Sequence, residues 1–147
     1  NPIYPLDNTI NNLNIDMIGR VDTNYSTKPE NEQNYLYLIG ADRLSTELHD
    51  LAILQNETYT NLDLDFTYNA EDEPMRLYYR SDHYNFDKNN IPSIFFFSGL
   101  HEDYHKPTDT ADKINFELLQ KRTQLIFYIA WEVANRENRL FVDVTQE

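Results

Sequence analysis

The sequence predicts an α/β fold, a sheet with parallel strands and helices on its faces. Three observations lead there. Four short apolar runs of strand length are separated by segments whose apolar residues recur at helical spacing. The three glycines, Gly19, Gly40 and Gly99, each follow one of these runs, where a strand gives way to a turn. The last run, 91–97, is apolar on both faces after its opening Pro92, as a strand is when helices cover both sides of its sheet.

The elements follow in order. The first run, 13–18, alternates Leu13, Ile15 and Met17 with Asn14, Asp16 and Ile18. The segment 23–33 is polar and reads as a loop. The second run, Tyr35-Leu36-Tyr37-Leu38-Ile39, ends at Gly40, and Leu44, Leu48, Leu51 and Ala52 then share one helical face. His49 falls on the polar side of that helix, which predicts a surface position. The third run, 62–68, alternates Leu62, Leu64, Phe66 and Tyr68 with polar residues and reads as an edge strand. Glu71-Asp72-Glu73-Pro74 reads as a solvated acidic loop. A short helix is expected from Ser81, with Ser as its cap and Asp82 in its first turn. The longest helix is expected over 115–136, capped by Asn115, with Leu119, Ile126, Ala130 and Val133 as its stripe, widened by Leu118 and Ile129.

Composition narrows the function. The 147 residues are 40% hydrophobic and include 11 Tyr and 8 Phe, too aromatic for a disordered chain. A net charge of -13 disfavours a nucleic-acid partner and an anionic membrane surface. Without cysteine there is no disulfide, thiolate site or cysteine nucleophile. No apolar run is long enough for membrane insertion. The first residues lack the pattern of a signal peptide and of a natural start, so a piece of a longer chain is expected.

Three places carry candidate chemistry. Asp16 interrupts an apolar strand near its end, where a carboxylate is costly to bury unless it is paired or bound to metal; the plainer reading is a turn cap or a pair with Arg20. The loop from Gly99 to Thr110 follows the buried fourth strand and carries His101, His105 and three acidic residues, the ligand types zinc takes without thiolates. Its Thr108 and Asp109, and Asp112 just beyond it, are equally good turn residues. In Ser81-Asp82-His83 the carboxylate beside an imidazole suggests a pair that orients a ligand, or a capped helix start with an exposed His83. A serine hydrolase elbow, a phosphate loop and a His-Glu-x-x-His helix are all missing from the sequence.

In this order, Asn14-Ile15-Asp16-Met17-Ile18-Gly19-Arg20, Ser81-Asp82-His83 and Tyr104-His105-Lys106-Pro107-Thr108-Asp109-Thr110-Ala111-Asp112-Lys113 resemble the bacterial leucyl aminopeptidase family of co-catalytic zinc exopeptidases. The likeness runs from about residue 1 to 136. It implies a three-layer α/β/α sandwich with a mixed, mainly parallel sheet, present here incompletely, and residues 1–147 as the C-terminal part of a single zinc-peptidase catalytic domain. It implies two zinc ions at the carboxyl ends of central strands, Asp16 ligating one and His105 the other. Tyr104 matches a position that supports the tetrahedral intermediate in some relatives. Asp82 and His83 match a motif near the site, and Tyr79 and Arg80 fall where some relatives contact substrate.

The family also uses a His-x-Asp, a bridging Asp and a Glu-Glu pair, all before the position of Asp16. They have no match here, since Glu30, Glu32, Glu71 and Glu73 are in the wrong places. The resemblance therefore implies a zinc-dependent aminopeptidase as parent, with peptide substrates, weak or no zinc binding by this chain alone, and self-association through an exposed sheet edge. It suggests a periplasmic or extracellular parent. Two alternatives share the fold: a glutaminyl cyclase-like acyltransferase and a non-catalytic binding module.

Overall fold

The structure, a computed structural model, describes residues 2–29 and 33–144. Among the described residues four strands form one sheet: β1 (Asn12–Ile15), β2 (Tyr35–Ile39), β3 (Asp63–Asp65) and β4 (Ser93–Phe97), in the order β1-β4-β2-β3. β1 runs parallel to β4 and β2 parallel to β3, while β2 and β4 are antiparallel. The sheet is mixed and mainly parallel, as expected.

Side-chain alternation sorts the core onto two faces. Leu36, Leu38, Ile94 and Phe96 point to one side, where they meet Leu48, Leu51 and Ala52 of α1 (Thr46–Gln55) and Leu125, Ile126, Ile129 and Val133 of α3 (Phe116–Asn135). Tyr35, Tyr37, Ile39, Phe95 and Phe97 point to the other and pack with Tyr25, Leu77 and Tyr78. That second side is covered by α2 (His83–Asp87) and by short helical turns, so the sheet is the middle of three layers. β2 and β4 are buried along their whole length, which is why both read as continuous apolar runs.

Several boundaries differ from the pattern, each for a local reason. β1 stops at Ile15 because Met17 is left-handed, at φ 62°. The third run yields only three strand residues, but β3 lies at the sheet edge as its alternation predicts. Ser81 does not cap α2: the residue before the helix is Asp82, and the Ser81 hydroxyl bonds elsewhere. The Ser45 and Asn115 side chains do cap, accepting from Leu48 N at 3.2 Å and Leu118 N at 3.1 Å.

Two predicted surface positions are corrected, and one residue of a predicted loop packs into the core. Glu73 is buried, because its two carboxylate oxygens accept from Met75 N at 2.7 Å and Leu77 N at 2.9 Å. His49 is partly buried against Phe66, with ring centroids 5.1 Å apart. Within the loop 23–33, Tyr25 is buried and stacks on Tyr35 at 3.7 Å; positions 30–32 of that loop lie outside the described residues.

Candidate metal centre

The site grows from the carboxyl ends of β1 and β4, which lie side by side and run parallel. Asp16 follows β1, and its amide donates to Phe96 O at 3.2 Å. The two loops leaving these strands are stitched together. Ser98 donates from its amide to Met17 O at 3.2 Å, and its hydroxyl lies 2.6 Å from Met17 O and 2.8 Å from Arg20 O.

One oxygen of Asp16 is already held. Asn14 Nδ2 donates to Ser81 Oγ at 2.8 Å, and Ser81 Oγ donates to Asp16 Oδ2 at 2.8 Å. This relay fixes the plane of the carboxylate and leaves Oδ1 for another partner. Asp16 does not pair with Arg20, whose guanidinium turns to Asp103 and Asp109. Asp16, Arg80 and Tyr104 line a cavity of about 60 Å³ together with apolar Leu77, Phe97 and Leu100. The His105 ring stacks on the Tyr104 ring, with centroids 3.9 Å apart. His105 is exposed and left-handed, at φ 57°. The residue after Asp16 and His105 itself therefore both have backbone conformations that non-glycine residues seldom adopt.

The Ser81-Asp82-His83 segment splits. Ser81 reaches Asp16, whereas Asp82 is exposed and His83 is completely buried. The His83 ring lies flat on Phe95 at 4.9 Å and edge-on to Tyr78 at 5.4 Å. Burial pushes its pKa down to about 4, against the opposing pull of the Tyr78 main chain and of the Asp82 and Asp16 charges. Both sequence readings of His83 miss this, since it is neither exposed nor paired with its neighbour. Tyr79 is half-exposed and packs on Tyr78 and Tyr84.

Among the described residues, His101, Asp103 and Asp109 converge, with ligand atoms within 4.8 Å of one another. Cations already serve them. Arg20 donates to Asp103 at 2.9 Å and to Asp109 at 2.8 Å, and Lys113 holds the second Asp103 oxygen at 2.8 Å. Hydrogen bonds from Lys113, Arg20 and Thr108 hold the Asp103 carboxyl well below the usual range. Two cations facing two carboxylates make this an ion cluster that a metal would have to displace. Asp16 and His105 lie outside it. They fit zinc in kind, one carboxylate and one imidazole, yet two donors are fewer than the four that zinc takes.

The Asp16–Ser81 bond was legible only in part. Asn14 in β1 and Asp16 just after it sit two apart along one extended stretch and so share a side, but nothing local ties them to a serine 67 and 65 residues away. The Arg20 fork spans still longer separations.

A mixed sheet between helical layers, with a carboxylate and an imidazole on adjoining loops, has the form of a zinc exopeptidase domain. The chain belongs to peptidase family M28, whose profile matches residues 1–130. Two solved structures share the fold. The LapA aminopeptidase of Legionella pneumophila superposes with a TM-score of 0.62 at 17% identity, over 86% of this chain and 31% of its own. BSAP, a zinc aminopeptidase from Bacillus subtilis, gives 0.60 at 21% identity, over 95% of this chain and 32% of its own. The chain thus spans about a third of each. No curated protein sequence matches it.

Proposed function

We propose that this chain is the C-terminal part of the catalytic domain of a zinc-dependent aminopeptidase, giving Asp16 to one zinc and His105 to the other. The observation that carries this reading is the placement of Asp16 at the carboxyl end of β1, held by Ser81 on one oxygen only, in the cavity that Tyr104 also lines. Membership of peptidase family M28 supports it.

A zinc held by Asp16 or by His105 would supply Lewis-acid chemistry toward the scissile carbonyl and the attacking water. The chain's own residues do the rest of the positioning. Ser81 keeps the Asp16 carboxylate in one orientation by holding Oδ2, which leaves Oδ1 as the oxygen to offer a metal. The Tyr104 hydroxyl is the donor for the oxygen on which charge develops at the scissile carbon. Leu77, Phe97 and Leu100 exclude water beside Asp16, and Arg80 contributes the cavity's cation.

The remaining ligands and the general base come from polypeptide beyond this segment. The sheet supports that division at β1. Asn12 N bonds to Pro92 O, just before β4, and Asp16 N to Phe96 O within it, so the alternate residues Leu13 and Ile15 turn their main-chain groups to the open side. That edge carries no charge, and Ile15 is 52% exposed. The opposite edge carries Asp63 and Asp65, the kind of guard that blunts unwanted pairing.

The test measures zinc content and leucine-p-nitroanilide hydrolysis on the complete polypeptide carrying this chain, beside its Asp16→Ala and His105→Ala variants. Zinc-dependent hydrolysis that collapses in both, with loss of bound zinc, is expected. A parent that binds no zinc, or variants with parental zinc content and rate, would overturn the reading. Cyclisation of glutaminyl peptides without hydrolysis would replace the peptidase by an acyltransferase.

A further inference from the structure

We propose that Arg20 is a positioning residue: it fastens the Tyr104–His105 turn to the loop leaving β1 and so sets where His105 stands relative to Asp16. Its consequence for zinc rests on the aminopeptidase reading above; its consequence for the loop does not.

Arg20 follows Asp16 by four residues in the same loop, and its main chain is anchored. Its carbonyl oxygen lies 2.8 Å from Ser98 Oγ and accepts from Arg122 Nη1 at 2.8 Å. From that fixed base the guanidinium forks, Nη2 to Asp103 Oδ2 at 2.9 Å and Nη1 to Asp109 Oδ1 at 2.8 Å. The two carboxylates bracket His105, one two residues before it and the other four after. Asp103 is buried and its other oxygen is held by Lys113, so this end of the fork is well screened from solvent.

The rest of the loop shows why such a fastening is needed. Short-range bonds curl it: Tyr104 N to His101 O at 3.0 Å, Lys106 N to Asp103 O at 2.8 Å and Asp109 N to Lys106 O at 3.1 Å. These shape the turn without fixing it to the sheet. Its ends are tied by Thr23 N to Leu100 O at 3.2 Å and Asn115 N to Gly19 O at 2.9 Å. Between those ties, the described long-range polar links from the loop to the β1 side are the two arms of Arg20. His105 is left-handed at φ 57°, a conformation that persists only where surroundings over-determine it. Lysine cannot substitute fully, because a single ammonium does not reproduce the planar fork that spans two carboxylates.

The experiment compares the complete polypeptide with Arg20→Ala, Arg20→Lys, Asp109→Asn and the Arg20→Ala/Asp109→Asn pair. Amide hydrogen exchange is read across 103–109, and the dissociation constant is measured for zinc itself. Arg20→Ala is expected to speed exchange in that stretch and to weaken zinc about ten- to hundredfold, the range for residues that orient ligands. Arg20→Lys should fall between, and the double variant should be no weaker than Arg20→Ala alone, because both changes remove the same link. A merely structural arginine would lower the melting temperature and leave zinc affinity of the folded protein as it was. Unchanged exchange across 103–109 in Arg20→Ala overturns the proposal, as does parental zinc affinity. A parent that binds no zinc sinks the aminopeptidase reading instead, and the exchange comparison still decides what Arg20 does.

Discussion

Buried polar side chains govern this protein at the scale of single residues. His83 sits neutral in an aromatic slot between Phe95 and Tyr78, its pKa depressed to about 4. A histidine that is harder to protonate folded than unfolded contributes stability above its unfolded pKa of about 6.5, and this contribution is lost as pH falls through the interval down to about 4. The loss amounts to about 3 kcal/mol at its acid end, at 1.36 kcal/mol per pKa unit. Replacing His83→Phe keeps the stacked ring and removes the titration. Urea denaturation across that interval should then give a flatter stability profile for the variant than for the parent, and parallel profiles would refute the assignment. Gly99 is a second case. It has φ +93°, and an added Cβ would lie 1.9 Å from Asp22 Oδ2. Asp22 is itself locked in place, its amide donating to Tyr35 Oη at 2.6 Å while the Tyr35 hydroxyl donates to Ser98 O at 2.6 Å. Gly99→Ala should therefore cost about 3 kcal/mol or more, as overpacking and a left-handed alanine combine. A loss under about 1 kcal/mol by the same denaturation would show that the loop yields. The sequence announces Gly99 through its place after an apolar run, but not Asp22, which is brought to it by folding.

Secondary elements were legible where burial is continuous or strictly periodic. β2 and β4 lie inside their apolar runs because both faces are covered, and α3 follows the spacing of Ile126, Ile129 and Val133. Legibility failed where a side chain serves a distant partner. Ser81 was the natural cap of α2, yet its hydroxyl completes the link from Asn14 to Asp16. Arg122 interrupts the apolar face of α3 and is nonetheless completely buried, because its guanidinium group donates to Tyr35 O, Ile18 O and Arg20 O. No spacing rule foresees a helix arginine that braces the loop after β1. Of the candidate site, the residue pattern marked Asp16 and the family resemblance pointed to Tyr104 and Arg80, and the fold brings all three to one cavity. The pattern was silent on the Arg20 fork, whose carboxylates lie 83 and 89 residues away. The cap of α3 allows a clean test at this scale. Asn115→Ala removes the acceptor for Leu118 N and should destabilise the protein by about 1 kcal/mol. Asn115→Asp should restore most of it by chemical denaturation, since aspartate caps as well and suits the helix N-terminus. Equal losses in both variants would mean that Asn115 acts through something other than its cap.

Charge and edge geometry act together over the whole molecule. Two copies of a chain with net charge -13 repel, and salt weakens that repulsion because the screening length falls to about 8 Å near physiological ionic strength. The β1 edge works the other way. Leu13 and Ile15 present main-chain groups outward on a neutral strand, which invites a further strand. When no other polypeptide occupies that edge, a second copy is the available partner, and the balance between repulsion and pairing sets whether it binds. Sedimentation velocity on this chain alone should show association that strengthens from 50 mM to 500 mM salt, both values chosen to lie on either side of the physiological screening length. Ile15→Lys places a charge on the open strand, as natural edge strands do, and should abolish that association without unfolding the protein. Association of the variant equal to that of the parent would move the contact away from β1, and association that weakens with salt would show that charge pairing, rather than strand pairing, holds the copies together. If the edge does pair, the same result bears on the candidate centre, because Asp16 lies at the end of that strand and whatever docks along β1 comes to rest beside it.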